Sequence, residues 1–200
     1  MKNKAFKNTP DEELVRLYVE TQRNLYFEEL YHRYVDKVYR KCLSFVKNEV
    51  QAEDVTHDIF LRLVLNIGGF KEHSKFSTWL YSITYNYCID QIRMVKKQAE
   101  TTLDVNFDPE QEEDESELVE IQAKDLKKAL QKIDPDERAM LLMKYQDDFS
   151  LKEISDTFKI SENAVKMRLM RTREKLRKIY AENIVFFLII VSKAIWFWKK

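Results

Sequence analysis

Glycine and proline are nearly missing from this chain: its 200 residues hold 2 Gly and 3 Pro. An all-β fold needs many tight turns, which draw on those residues, so the shortage argues against it. Cysteine is as scarce. Cys42 and Cys88 stand on apolar stretches far apart in sequence. They lack metal-type spacing, and each is expected as a small core residue rather than a ligand or half of a disulfide. His32, His57 and His73 share no ligand spacing with each other or with the cysteines. No metal and no other cofactor is expected. A phosphate-binding loop, a nucleophile elbow and a zinc motif are all missing, so nothing points to an enzyme. The N-terminus has no apolar signal segment, and a cytoplasmic location is the expectation.

What the chain does have is helix-forming. Hydrophobic residues make up 44%, ample for packed cores. Leu, Lys, Glu and Ile dominate, which predicts an almost entirely helical protein. The formal net charge of zero hides an uneven spread. Residues 161–178 carry seven Lys or Arg against Glu162 and Glu174, while residues 98–120 carry ten Asp or Glu and no Lys or Arg. Phosphate binding follows local charge rather than the sum.

Along the chain, Thr9-Pro10-Asp11-Glu12 opens a first helix, with Thr9 as cap, Pro10 in the first helical position and Glu12 closing a capping box. A longer helix at about 25–47 repeats Phe27, Leu30, Tyr31, Tyr34, Val38, Cys42 and Phe45 at core spacing. A third, at about 51–66, turns Ala52, Val55, Ile59 and Leu63 inward and Glu53, Asp54, His57 and Asp58 outward. Gly68-Gly69 breaks the pattern, and residues 75–98 are helical again. Residues 99–117, acidic and containing Pro109, predict a flexible linker. A second helical unit follows, with Leu118, Ile121, Leu126, Leu130 and Ile133. A restart at Asp134-Pro135 leads a helix carrying Leu141, Leu142 and Tyr145. The fold class is therefore all-α: two small helical domains, at 9–98 and 118–180, joined by an acidic linker, with an apolar extension at 181–200.

The C-terminal domain ends in a helix-turn-helix. Ser150 and Glu153 form a capping box for a short helix with Leu151, Ile154 and Phe158 on one face. Ser161 caps a second helix whose apolar face is Val165, Leu169 and Leu176, and whose other face carries Lys166, Arg168, Arg171, Arg173, Lys175, Arg177 and Lys178. Such a second helix fits the major groove of DNA. A solvated face or a membrane-surface helix is the competing account of the charge. Lys159 stands in the turn, where Gly often reaches the left-handed conformation, at a cost of about 1–2 kcal/mol.

A second constellation lies at 75–97. Phe76, Trp79, Tyr81, Tyr85 and Tyr87 are interleaved with Lys75, Ser77, Thr78, Asn86, Arg93, Lys96 and Lys97. Aromatic faces stack on unpaired bases and cations hold the backbone, which suits single-stranded nucleic acid. Aromatics at helical spacing are also core material, and Trp79, Ile83 and Tyr87 are expected to be mostly buried.

With FEELYHRYVDKVYR (27–40), AEDVTHDIFLRLV (52–64), KFSTWLYSITYNYCIDQIR (75–93), the Asp134-Pro135 entry, SLKEISDTFKIS and ENAVKMRLMRTREKLR in order, the chain resembles a sigma factor of bacterial RNA polymerase. The resemblance is to the extracytoplasmic-function group of the sigma-70 family and covers 11–98 and 116–178. It implies core polymerase as partner, contacted at the β′ clamp and β subunits, with Glu53, Asp54, Asp58 and Arg62 on the clamp coiled coil. It implies that residues 71–97 melt and hold the promoter −10 element. A loop at about Phe70 to Phe76 would capture a flipped non-template base, and Lys75, Phe76, Ser77, Trp79, Tyr81, Asn86, Arg93 and Lys97 would form the surface and its scaffold. It implies that the last helix reads the −35 duplex. Ser161 would open the −35-binding helix, Glu162, Asn163 and Lys166 would be near base edges, and Arg168, Arg171, Arg173 and Lys152 would be near phosphates. Ala164 departs from a common Thr, removing a hydroxyl contact. The acidic linker would thread the polymerase's basic channel, or act as a solvated tether. A membrane-bound anti-sigma factor is a further partner the group implies.

The apolar run Ile184–Val191 is shorter than the roughly 20 residues that span a bilayer. Its terminal Trp and Lys residues suit a membrane interface, and a helix packed on the domain or on a regulator suits it equally. The competing functions are a stand-alone helix-turn-helix regulator and a membrane-associated interaction protein.

Overall fold

The computed structural model describes residue 6 and residues 8–46, 48–101 and 129–179, except the side chains of 98–101. The acidic stretch beyond residue 101, the start of the second domain with Leu118, Ile121 and Leu126, and the apolar extension lie outside the described residues. Those described form helices joined by short turns and loops, with no strand among them. The chain divides into two units, Met1–Pro109 and Glu110–Lys200.

The first unit contains α1 (Asp11–Thr21), α2 (Asn24–Val46), α3 (Glu49–Asn66), a 3-10 turn at Ile67–Gly69 and α4 (Phe76–Thr101). α2 is the central helix and packs on the other three. Its predicted core face holds: Leu30, Tyr34, Val38, Cys42 and Phe45 are buried, while Phe27 and Tyr31 are half-buried. Ala52, Val55, Ile59 and Leu63 of α3 and Phe76, Leu80, Tyr85 and Cys88 of α4 complete the core. Edge-on ring pairs join the helices, with centroids 5.5 Å apart for Tyr34–Phe76 and 5.8 Å for Phe45–Tyr85. Asn48 caps α3 by accepting the Gln51 N–H at 2.9 Å. α4 runs to Thr101, past the predicted linker start at 99, because Gln98-Ala99-Glu100 contains no helix breaker.

Cys42 and Cys88 are both fully buried, as small core residues should be. They also touch, with sulfurs 3.9 Å apart and no disulfide between them. Their 46-residue separation in sequence hid this contact.

The predicted capping box at the start of α1 does not form. Pro10 is the cap, with no side-chain hydrogen bond. Tertiary partners outcompete the local ones. The Thr9 carbonyl accepts from Arg33 Nη1 at 2.8 Å, and Glu12 accepts the Phe76 N–H at 2.8 Å. Arg33 is the organiser. Its Nη1 donates to Asp11 at 2.7 Å, its Nε to Glu29 at 2.9 Å and its Nη2 to the Phe6 carbonyl. The second Asp11 oxygen accepts from the Tyr34 hydroxyl.

The second unit contains a helical end at 129–131, α5 (Pro135–Tyr145), α6 (Leu151–Phe158) and α7 (162–179). Asp134 accepts the Asp136 N–H at 2.9 Å with Pro135 in the first turn, so the predicted restart is real. The core gathers Ala129, Ile133, Ala139, Met140, Leu141, Met143, Phe149, Ile154, Val165 and Leu169. Of the three apolar or aromatic residues named for this helix, Leu141 is buried, Leu142 is half-buried and Tyr145 is 58% exposed. Ala139, Met140 and Met143 take the inward face, and Phe149 closes it from the following loop. The Tyr145 ring instead lies 6.0 Å from the Arg173 guanidinium.

Burial, then the Asp11 hydrogen bond, push the Tyr34 hydroxyl far above its ordinary pKa of 10.0. A raised pKa contributes stability that is complete below the unfolded value and is lost as pH rises above it. The urea midpoint of the first unit is therefore expected to fall as pH climbs past 10.0. Tyr34→Phe should flatten that fall and cost about 1.5 kcal/mol at neutral pH.

Candidate nucleic-acid and polymerase interface

The helix-turn-helix is built by local capping. Glu153 N–H donates to Ser150 Oγ at 3.2 Å, and Ser150 N–H donates back to the Glu153 carboxylate at 2.8 Å. Lys159 does adopt the left-handed conformation, with φ 52° and ψ 44°. Ser155 offsets part of that strain. Its carbonyl accepts from the Lys159 and Ile160 amides, and its hydroxyl donates to the Ile160 carbonyl at 2.8 Å. No sequence pattern singled out Ser155.

α7 starts on Ser161, whose Oγ accepts the Ala164 N–H at 3.2 Å. That hydroxyl is engaged in capping. Val165, Leu169 and Thr172 form the buried face, with Leu176 half-buried below them. Thr172 was not foreseen because its hydroxyl suggests exposure; it donates to the Arg168 carbonyl at 2.8 Å. Glu162, Asn163, Lys166, Arg168, Arg171 and Arg173 are all exposed, as is Lys152 on α6. At about 100° per residue, Asn163, Met167, Met170 and Arg171 lie opposite the buried face. Lys175 is drawn to Glu137 of α5 at 3.1 Å, which leaves its charge partly neutralised.

On α3, Glu53, Asp54, Asp58 and Arg62 are exposed, as the spacing predicted. Two of them are also held from α4. The Tyr87 hydroxyl donates to Asp58 Oδ2 at 2.6 Å, and the Arg62 guanidinium lies 4.3 Å over the Tyr87 ring. Burial, then this hydrogen bond, raise the Tyr87 pKa. Tyr87 is thus a positioning residue for the acidic face, missed because its ring read as core. Leu61 and Leu65 on the same helix are 63% and 82% exposed.

The aromatic constellation is thinner than its sequence suggests. Phe76 and Tyr85 are fully buried and Tyr87 nearly so, and none can offer a ring face to a base. Phe76 lies in the core beside Tyr34 and Phe70, at centroid distances of 5.5 Å and 5.8 Å, which is a scaffold position. Trp79 and Ile83 are half-buried rather than mostly buried. Phe70 supports the Trp79 ring at 5.2 Å. Tyr81 is half-buried against α2, with Lys41 Nζ 4.3 Å from its ring centre. Helical spacing puts Trp79, Asn86, Arg93 and Lys97 on one stripe, within about 40° of each other. Ser77 and Tyr81 fall on the opposite side, among buried positions. Lys75, Asn86, Arg93 and Lys97 are exposed, and Arg93 lies 3.7 Å from Asp90. Among the described residues no cluster of His, Cys, Asp or Glu could hold a metal, and no helix is long and apolar enough to cross a membrane.

The αL turn yields a direct test. Lys159→Gly should stabilise α6 against local opening by about 1 kcal/mol, and Ser155→Ala should destabilise it by a similar amount. Hydrogen exchange of the α6 amides reads both.

A sequence profile for sigma-70 region 2 matches residues 30–98, and one for sigma-70 region 4 matches residues 123–176. The ECF RNA polymerase sigma factor SigW of Bacillus subtilis (strain 168) is 33% identical over 166 residues, 76% of this chain and 87% of the relative. The ECF sigma factor SigM of the same strain is 30% identical over 158 residues, 78% of this chain and 96% of the relative. Among solved structures, the sigma factor RpoE in complex with the anti-sigma factor NepR from Bartonella quintana aligns with a TM-score of 0.63 at 20% identity. The alignment covers 76% of this chain and 95% of that one, and bears on the fold alone.

Proposed function

Because the chain belongs to the sigma-70 family, in its extracytoplasmic-function group, we propose that its two units divide promoter recognition between an opened strand and a duplex. A sigma factor is not an enzyme. It binds core RNA polymerase and directs it to promoters, and a stand-alone regulator is not favoured. In our proposal the domains run 9–101, to the end of α4, and 118–180, joined by the acidic linker at 102–117. The observation that carries the division is the stripe of Trp79, Asn86, Arg93 and Lys97 on a unit separate from α7.

In this scheme α3 docks on the polymerase β′ clamp through Glu53, Asp54, Asp58 and Arg62, with Tyr87 holding the last two in place. The 70–76 loop captures a flipped −10 base. Extrusion costs a few kcal/mol of stacking, which contacts in the pocket must recover. Trp79, Lys75, Asn86, Arg93 and Lys97 face the strand, while Phe76, Ser77 and Tyr81 support them. α7 enters the −35 major groove. Asn163, Glu162 and Lys166 lie in its first turns, where base edges are reached, and Arg168, Arg171, Arg173 and Lys152 lie over phosphates. The linker's acids compete with nucleic acid for the polymerase channel. The chain works in the cytoplasm, and an anti-sigma factor restrains it. That partner is supported by the neighbour solved with NepR.

Run-off transcription with core polymerase on a promoter library tests the scheme. The expected result is a selected start that depends on both elements. Tight duplex binding by the chain alone, with no selected start, would overturn it. Arg171→Ala should weaken binding across all sequences and reduce the salt slope by about one. Asn163→Ala should change −35 preference and leave −10 preference intact.

A further inference from the structure

α1 spans Asp11–Thr21, and the region 2 profile begins at residue 30, so nothing in that match gives α1 a task. Its contacts do. Glu12 Oε1 accepts the Phe76 N–H at 2.8 Å. That amide opens α4, where the first N–H groups have no partner within the helix. One turn along, Arg16 Nε lies 3.3 Å from Glu72 Oε1. Glu72 holds φ 54°, so it is where the loop turns. α1 also packs on the 3-10 turn that enters the loop. A single helix therefore grips the 70–76 loop at its entry, its bend and its exit. α1 is itself fixed to α2, through Asp11 with Arg33 and Tyr34.

We propose that α1 is a brace for −10 recognition, with Glu12 and Arg16 as positioning residues that hold the 70–76 loop in shape before DNA arrives. This rests on that loop being the base-capturing one. The physical gain is preorganisation. A loop ordered in advance loses less conformational freedom when the base enters, so more contact energy goes to offsetting unstacking. Glu12 carries the larger share. The Arg16–Glu72 pair is well exposed, at 61% and 43%, and screening keeps its contribution small. The competing account is that Glu12 merely caps α4 for stability, which would leave opening unchanged at temperatures well below unfolding.

The test uses holoenzyme assembled from core polymerase and the full chain, on a promoter with 2-aminopurine at successive −10 positions. The fluorescence rise reports base extrusion. Glu12→Ala should slow or reduce that rise roughly three- to tenfold, the range expected for loss of a helix cap. Glu12→Gln, which keeps an acceptor oxygen, should stay near wild type. Holoenzyme formation and −35 duplex binding should be unaffected in both. Arg16→Glu should reduce the rise, and adding Glu72→Arg should restore it, because the swap rebuilds the ion pair. Wild-type opening by both Glu12→Ala and Arg16→Glu would overturn the brace while leaving the loop's role standing. So would failure of the charge swap to restore opening. A wild-type chain with no signal at any −10 position would sink the loop's role and the brace with it. If Glu12→Ala does not fold, judged by its melting curve, the exposed Arg16–Glu72 swap decides alone.

Discussion

The carboxylate of Asp11 is the contact on which the first unit's functional geometry depends. One oxygen takes the Arg33 guanidinium and the other the Tyr34 hydroxyl. Charge-assisted bonds of this kind are the stronger class, about 1.5–3 kcal/mol each where partly shielded from water. Arg33 and Asp11 are only about a fifth exposed, which limits screening. Through this contact α1 is fixed on α2, and from α1 the chain of support runs through Glu12 to the first amide of α4 and through Arg16 to Glu72. Tyr34 also faces the Phe76 and Tyr81 rings. The core and the loop therefore share an anchor.

Energy scales explain why such a protein acts with a polymerase rather than alone. A stacked aromatic contributes about 1–3 kcal/mol per base, and flipping a base costs a few kcal/mol. Of five aromatics in 76–87, only Trp79 lies on the exposed stripe of α4. One ring roughly offsets one flipped base and leaves nothing for opening further pairs. In the proposed scheme, cations such as Arg93 and Lys97 add salt-dependent attraction to phosphates, and the polymerase supplies the rest. In the same scheme α7 bears the simpler task, since duplex reading needs no unstacking. Its exposed arginines and Asn163 are carried on a helix held by Val165, Leu169 and Thr172.

What could be read from sequence was set by periodicity. The core faces of α2 and α3, the Asp134 restart, the Ser150 capping box and the left-handed Lys159 all follow from local spacing or local chemistry, and the structure contains them. What could not be read depends on partners distant in sequence. Thr9 and Glu12 fit a capping box until Arg33 and Phe76 are brought beside them. Tyr87 looks like core until Asp58 meets its hydroxyl. Cys42 and Cys88 appear independent until α2 and α4 pack. Phe76 and Tyr85 share a composition with Trp79 that suits base stacking. Only the wide buried arc of α4, covered by α2 and α3, separates scaffold from surface.

The central claim is that one unit opens a strand while the other keeps hold of duplex. Permanganate, which oxidises unpaired thymines, maps this directly on a selected promoter. Reactive thymines should appear at the −10 element only when chain and core polymerase are both present, and the −35 element should stay unreactive and protected from nuclease. Reactivity produced by the chain alone, or extending through the −35 element, would contradict the account.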